Sequence, residues 1–135
     1  MKKVIFLLSM FLFVKPTFAA DFENAVGIGL QFGGVVGYQL STTVEQGRIR
    51  GALGIVGASI GYDHFVTDTF AIGATITATL RTVYSLNLNY MPAGQQNSGW
   101  MFAVDLGHMQ DTDGDGFFTT DGPKNVIWFS TGYRF

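Results

Sequence analysis

Apolar and polar residues alternate with a period of two along much of the chain after residue 25. In the last segment, residues 127–135, Tyr133 and Phe135 lie on one face and Arg134 lies on the other. Because successive side chains of a β-strand leave opposite faces of the backbone, this alternation predicts strands. Six alternating segments are evident, at residues 26–42, 49–63, 70–80, 84–90, 100–107 and 127–135.

The number of strands stays open between six and eight. In the second segment the apolar positions change from odd to even after Ile55, a slip that a bulge near Gly54 and Gly57 would absorb. Dividing the first segment at Gly33 gives a seventh strand, and an eighth would come from residues 116–120. In each case the segments predict an all-β chain.

The first 19 residues have the pattern of a secretory signal peptide. Lys2 and Lys3 form a short cationic region, residues 4–14 are apolar, and Thr17 and Ala19 precede a cleavage position. A helix over that apolar run would measure about 16 Å, about half of what a spanning helix needs, so the run does not predict a membrane anchor. We expect residues 1–19 to be removed and residues 20–135 to form one domain.

Composition narrows the range of partners. The chain has 8 basic and 10 acidic residues, and removing Lys2, Lys3 and Lys15 with the signal peptide leaves a net charge of −5 (5 − 10). Binding to nucleic acid calls for a basic patch, so no nucleic-acid partner is expected. The chain contains no cysteine, which excludes a disulfide framework.

A strand that ends in Phe135, with Tyr133 two positions earlier, resembles the terminal strand of bacterial outer-membrane β-barrels. The resemblance implies a small antiparallel up-and-down transmembrane β-barrel of six to eight strands, in the outer membrane of a Gram-negative bacterium. It also implies contact with outer-membrane lipid and lipopolysaccharide. The strand ending at Phe135 would be recognised by the barrel-assembly machinery.

The same resemblance orients the chain across the membrane. Such barrels have short periplasmic turns and longer external loops. The connections at 63–68 and 91–99 are short, whereas the connection at 110–125 is long. With the carboxyl terminus in the periplasm, an aromatic girdle forms at the periplasmic rim. Its predicted members are Tyr62, Phe65, Phe70, Tyr90, Trp100, Tyr133 and Phe135.

Polar residues opposite the apolar band would face the lumen of such a barrel. Eight strands leave room only for side chains, so we expect a filled polar interior rather than a wide pore. The candidates are Gln31, Gln39, Arg81, Asn87, Asp105, Trp128 and Arg134. Since buried charges are tolerated when they are paired, Arg81, Asp105 and Arg134 are predicted to form a hydrogen-bonded ion-pair network.

The long connection contains an acidic motif at residues 111–116. Its alternate carboxylates with glycine in sixth position resemble the first half of a calcium-binding loop. Position twelve is Gly122 where a glutamate would stand, and Asp121 is the nearest substitute. The motif predicts either a weak external calcium site or an exposed acidic turn, and no other cofactor is expected. The candidate ligands are Asp111, Asp113, Asp115 and Asp121.

Three functions stay open. A structural or surface-interacting barrel, which we favour, would act through loops at 44–50 and 110–125. A lipid-modifying outer-membrane enzyme would need His64 or His108 with Asp105 and a serine, but nothing in the sequence groups these residues, so no catalytic residue is assigned. A soluble periplasmic β-domain would bury the apolar face as its core. The candidate serines are Ser85, Ser98 and Ser130.

Overall fold

Eight antiparallel strands close into a barrel in the computed structural model, which describes residues 21–110 and 124–135. Each strand pairs with its neighbours in the chain, and β8 pairs with β1 to complete the barrel. The strands are β1 Phe22–Gly29, β2 Gly34–Val44, β3 Gly47–Gly54, β4 Ala58–Phe65, β5 Phe70–Ala78, β6 Thr82–Tyr90, β7 Gly99–Met109 and β8 Lys124–Arg134. This confirms the predicted all-β, up-and-down antiparallel barrel.

The two ends of the barrel differ. The terminal end, where β1 begins and β8 ends, holds the connections 45–46, 66–69 and 91–98, and the loop end holds the connections 30–33, 55–57 and 79–81. The predicted girdle residues lie at the terminal end. There Phe70 stacks on Tyr90 with ring centroids 4.8 Å apart, and Trp100 meets Tyr133 edge-on at 5.6 Å.

The six alternating segments produce eight strands because two of them each form a hairpin. Residues 26–42 divide between β1 and β2, and residues 49–63 divide between β3 and β4. The predicted bulge is therefore wrong. The chain turns at this point, where the Gly54 N–H donates to Gly57 O at 2.7 Å. The barrel closes without residues 116–120, which lie outside the described residues.

The connection between β1 and β2 enters the lumen. The alternation predicts Leu30 and Phe32 on the outer face, but both are buried, with 7% and 1% of their surface exposed. They belong to a 3-10 turn, Leu30–Phe32, which we call the plug. Gly29 and Gly33 flank the plug with φ values of 113° and 78°, a backbone conformation that glycine adopts without a steric penalty. The two glycines let the chain leave the strand direction and turn inward.

The expected loop at residues 44–50 does not exist. A two-residue turn, 45–46, joins β2 to β3 at the terminal end, and the rest of this stretch belongs to the two strands. Asp63 and His64 likewise belong to β4 rather than to the predicted short connection, which spans only residues 66–69. Both predictions are wrong for the same reason: they assign charged residues that face the lumen, Arg48, Arg50 and Asp63, to loops.

The strands place apolar side chains outward and polar side chains inward. Ile76 is 46% exposed, whereas Thr77 is fully buried and donates to Leu30 O at 3.0 Å. The outward positions of β1 to β7 carry no Asp, Glu, Lys or Arg. The large exposed hydrophobic residues are therefore concentrated on the outer wall.

The packing of the plug against the wall predicts the effect of a small substitution. Gly27→Ala should destabilise the barrel by about 1–3 kcal/mol, the usual cost of overpacking. A Cβ atom at residue 27 would lie 2.6 Å from two atoms of the Phe32 ring, and closer still to Thr131 O, so the plug or β8 must move. The measurement is urea unfolding of the refolded protein in detergent micelles.

Gly51→Ala is the matched control for that substitution. A Cβ atom at residue 51 would have Ser59 O, 3.9 Å away, as its nearest neighbour beyond the adjacent residues. The control should therefore unfold close to the wild-type midpoint. Equal losses of stability in the two variants would contradict the close contact between the plug and β1.

Candidate functional site

Most of the side chains that are buried in the lumen are polar or charged. The buried polar residues are Gln31, Gln39, Ser41, Arg48, Arg50, Ser59, Asp63, Thr75, Thr77, Ser85, Asn87, Asn89, Asp105, Ser130 and Arg134. A smaller apolar cluster, Ala25, Phe32, Ala71, Met91 and Met101, fills the remaining space. Because buried charges cost free energy unless they are paired, the partners of these groups decide what the lumen can do.

Asp63 is the centre of the lumenal network. Its fully buried carboxylate accepts hydrogen bonds from Arg48 and Arg50, which are themselves almost fully buried. Arg48 Nη2 donates to Oδ2 at 2.8 Å, while Arg50 donates from Nε to Oδ2 at 2.9 Å and from Nη2 to Oδ1 at 3.0 Å. Contact through two nitrogens is the strong, geometrically specific form of an arginine–carboxylate pair. The pairing of β3 with β4, in which Arg48 lies opposite Asp63, brings the three groups together.

Neutral side chains from β5 and β6 complete this network. Arg50 Nη2 also donates to Thr75 Oγ1 at 2.6 Å. With its amide oriented to match its neighbours, Asn87 accepts from Thr75 and from Arg50, and it donates to Asp63 Oδ1 at 3.2 Å. Asn89 Nδ2 donates to the same oxygen at 3.1 Å. The network around Asp63 thus joins four neighbouring strands, β3 to β6, with Thr75 of β5 connected through Arg50 and Asn87.

A second carboxylate, Asp105 on β7, joins the plug to β8. Ser130 Oγ donates to Asp105 Oδ2 at 2.6 Å, and Gln31 Nε2 donates to Oδ1 at 3.1 Å. The backbone of the plug is held as well, since Ser59 Oγ donates to Gln31 O at 2.8 Å. Side chains therefore supply the hydrogen bonds that the plug carbonyls lose by leaving the sheet.

Arg134 holds the 91–98 connection against the terminal end of the lumen. Its guanidinium donates to three backbone carbonyls, at 2.6 Å to Gln95 O, 2.7 Å to Gly94 O and 3.0 Å to Asn97 O. Glu23 on β1 provides the opposite charge, with its Oε2 3.3 Å from Arg134 Nη1. The lumen is thus filled near both ends, by the 91–98 connection at one end and by the plug at the other.

The structure confirms most of the predicted lumen residues but changes their partners. Gln31, Gln39, Asn87, Asp105 and Arg134 are buried inside, as predicted. The proposed network of Arg81, Asp105 and Arg134 is wrong, because Asp105 accepts from a serine and a glutamine, Arg134 pairs with Glu23, and Arg81 lies in the connection between β5 and β6. Trp128 points inward but remains 45% exposed near the loop end.

The candidate catalytic residues divide between the two faces of the wall. His64 and His108 are exposed on the outer face, and His108 Nδ1 lies 3.0 Å from Asn125 Oδ1. Asp105 and Ser130 do meet, which the sequence did not indicate, but they meet inside the lumen and away from both histidines. Among the described residues no serine has a histidine beside it as a general base, so no nucleophile is assembled there.

The predicted calcium ligands lie outside the described residues. Asp111, Asp113, Asp115 and Asp121 therefore keep the status of a prediction from sequence. Within residues 21–110 and 124–135, no group of three or more His, Cys, Asp or Glu side chains is arranged to hold a metal ion. No helix in those ranges is long and apolar enough to cross a membrane.

Sequence reasoning missed the three residues at the centre of the network. Arg48 and Arg50 lie in the loop predicted at residues 44–50, and Asp63 lies at the start of the connection predicted at 63–68. A usable signal was present, since Ile49 between the two arginines continues the alternation of β3 and Tyr62 before Asp63 continues that of β4. If the charged residues are taken as the inward-facing positions of that alternation, all three are predicted to lie in the lumen.

Removing the central carboxylate tests this network. Asp63→Asn should destabilise the barrel by about 3–5 kcal/mol, because it leaves two buried guanidinium groups without a counter-charge. Asp68→Asn, in the exposed 66–69 connection, is the control and should change stability little. Urea unfolding of the refolded proteins compares them. A loss for Asp63→Asn no larger than for Asp68→Asn would show that the arginines do not depend on Asp63.

Comparison with protein-family models, with curated proteins and with solved structures gave no match for this chain. The barrel by itself does not determine an activity, since one fold can host many unrelated functions. The function is therefore inferred from the side chains on the two faces of the wall.

Proposed function

We propose that this protein is a small outer-membrane β-barrel of a Gram-negative cell envelope, with a structural or surface-interacting role and a lumen closed to solutes. The observation that supports this most strongly is the inverted distribution of side chains. The outward positions of β1 to β7 are free of charged residues, while Arg48, Arg50 and Arg134 are paired with carboxylates inside. In a bilayer this arrangement exposes no charged side chain of these strands to lipid, and closure satisfies the backbone hydrogen bonds that lipid cannot.

The length of the strands suits a membrane of this kind. Eight to eleven residues, at about 3.3 Å per residue and a tilt of about 40°, span roughly 20–28 Å. The apolar band of outer-membrane barrels is about 25 Å tall and has aromatic girdles at its borders. The aromatic residues at the terminal end would form the periplasmic girdle, which places the loop end and the 110–123 connection outside the cell.

The filled lumen argues for a role without transport. The plug and the 91–98 connection occupy the two ends, and the network around Asp63 ties four strands together between them. Contact with lipid, with lipopolysaccharide or with another surface would then involve the outer face and the external loops.

Planar-bilayer recordings of the refolded protein should show no steady conductance, and stable open channels would overturn this part of the proposal.

The proposed location of the protein in the outer membrane is tested by cell fractionation and by a substitution that introduces a charge on the outer face. The protein should partition with the outer membrane and change gel mobility on boiling. Ile76→Arg should cost about 2–4 kcal/mol in lipid, because it puts a charge in the apolar band. Val66→Arg, in the 66–69 connection, should be tolerated. Recovery as a soluble periplasmic protein would overturn the membrane location. Equal stability of the two variants would show that Ile76 does not face lipid, since charges on a water-exposed surface usually change stability by less than about 0.5 kcal/mol.

Assembly through the last strand is tested at Phe135. The Phe135 N–H donates to Asn24 O at 2.9 Å, while its side chain remains 57% exposed on the outer face. Phe135→Asp should sharply reduce the amount of heat-modifiable protein in the outer membrane, because recognition by the assembly machinery is proposed to need an apolar residue there. Phe117→Asp, in the connection between β7 and β8, should assemble normally. Equal assembly of the two variants would remove the assembly machinery from the proposal.

A further inference from the structure

One edge of the barrel wall is unpaired at the loop end. β8 pairs with β7 over its whole length, from Lys124 to Arg134. Its pairing with β1 also begins at Arg134 but ends at Thr131, because β1 ends at Gly29, where the chain turns inward to form the plug. Residues 125–129 of β8 therefore have no pairing strand on the β1 side within the described part of the chain. We call this stretch the free edge.

The register of β8 shows which main-chain groups are left without a strand partner. The main-chain groups of successive strand residues point to opposite sides of the strand, so every second residue of β8 faces β1. The Phe135 N–H donates to Asn24 O at 2.9 Å, which places the odd-numbered residues on that side. The N–H and C=O groups of Ile127 and Phe129 therefore point into the free edge, whereas those of Trp128 point to β7.

The plug prevents β1 from filling this edge itself. In the register of β1 and β8, Leu30 would follow as the partner of Phe129. Leu30 instead lies in the plug, where its carbonyl oxygen accepts a hydrogen bond from Thr77 Oγ1 at 3.0 Å. The side chains along the edge reflect the missing neighbour, since Phe129 and Ile127 are 72% and 67% exposed, compared with 41% for Tyr133 in the paired part of β8.

The sequence of the free edge favours pairing with another strand. Valine, isoleucine, tryptophan and phenylalanine follow one another at residues 126–129, and all four residue types are enriched in strands. Natural edge strands are usually protected against strand addition by charged residues, proline or a bulge. Residues 125–129 contain no charged residue and no proline, and their register with β7 is unbroken. The edge therefore has the properties of a strand-pairing site.

We infer that the free edge binds an extended segment of another polypeptide, which adds to β8 as a short strand. An extended main chain offers N–H and C=O groups that alternate at the spacing of this edge, whereas lipid does not. Apolar side chains at alternate positions of the added segment would pack against Ile127 and Phe129, since opposite side chains on paired strands interact. The inference rests on the proposed function and names the kind of partner that a surface-interacting role would involve.

A second copy of this chain does not fit the free edge in a membrane. Antiparallel pairing of two β8 strands requires that they run in opposite directions. Two barrels inserted with the same orientation both direct β8 from the loop end to the terminal end. Because strands tilt by about 40°, a two-fold axis normal to the membrane would leave the two β8 strands crossed at about 80°. With the loop end outside the cell, the expected partner is an extracellular polypeptide.

Amide hydrogen exchange, measured by NMR on the refolded full chain in dodecyl maltoside micelles, tests whether the edge is free. The N–H groups of Trp128 and Thr131, which pair with β7 and β1, should exchange slowly. Those of Ile127 and Phe129 should exchange about tenfold faster or more, because no strand protects them. Slow exchange at Ile127 and Phe129 in the free protein would overturn the inference, since the edge would then be covered already.

Strand addition is tested with a fluorescent peptide of alternating valine and threonine as the probe. Fluorescence polarisation should show one peptide bound per barrel, and binding should slow exchange of the Ile127 and Phe129 amides about tenfold or more. We expect the valines to lie opposite these two residues, so that the valine N–H groups face β8. N-methylation of the valines should therefore weaken binding about tenfold or more, whereas N-methylation of the threonines should change it little.

Two substitutions at one residue of the edge provide the matched variants. Ile127→Pro removes the N–H that faces the free edge and leaves the hydrogen bonds with β7 in place, so it should weaken peptide binding about tenfold. Ile127→Val keeps the N–H and a β-branched side chain, and should bind the peptide as the wild type does. Both variants should retain the change in gel mobility on boiling that marks a folded barrel.

The outcomes separate this inference from the proposed function. Absence of peptide binding by the wild type, or equal binding by Ile127→Pro and Ile127→Val, would overturn the strand-addition site and leave the outer-membrane location standing. Protection of the Ile127 amide that rises with protein concentration would show that a second copy occupies the edge, and would also overturn the inference. Recovery of the wild type as a soluble periplasmic protein would overturn the proposed function and the extracellular origin of the partner, while the measurements in micelles still decide whether the edge binds a strand.

Discussion

Asp63 accepts hydrogen bonds from Arg48 and Arg50 at a fully buried position, and much of the barrel depends on this contact. The carboxylate could not stay ionised there alone, and the two guanidinium groups could not be buried without it. Their pairing also fixes the register of β3 against β4 and, through Thr75 and Asn87, the positions of β5 and β6. A polar lumen can therefore stabilise the fold as a hydrophobic core does in soluble domains.

Pairing of buried charges is one condition for filling the lumen. Arg48 and Arg50 pair with Asp63, and Arg134 pairs with Glu23. The third lumenal carboxyl group, on Asp105, accepts hydrogen bonds from the neutral side chains of Ser130 and Gln31. Lumen width imposes the second condition, since eight strands leave room only for side chains. Glycine at residues 27 and 132 makes space for the Phe32 ring, which allows the chain to fill its own interior.

The sequence predicts the faces of the strands more reliably than their ends. Alternation identifies Ile76 as outward and Thr77 as inward because each position has only two orientations. It does not identify the plug, since Leu30 and Phe32 continue the apolar pattern, and only the glycines at 29 and 33 indicate that the chain turns. The sequence does not indicate the partners of Asp105 either. Ser130 is 25 residues away and lies on the paired strand β8, and Gln31 is 74 residues away and reaches Asp105 because the plug folds into the lumen.

A filled lumen changes where function can reside. With the plug and the 91–98 connection fixed by Asp105, Ser59 and Arg134, a ligand inside the barrel would have to break several hydrogen bonds between buried groups. Leaving buried polar groups unpaired costs about 1–3 kcal/mol each, so such a ligand would be penalised before it made any contact. The outer wall carries no comparable penalty, because its side chains are already exposed. Recognition by this protein is therefore expected on surfaces that a barrel of this size leaves free: the outer wall, the girdle and the connections at the loop end.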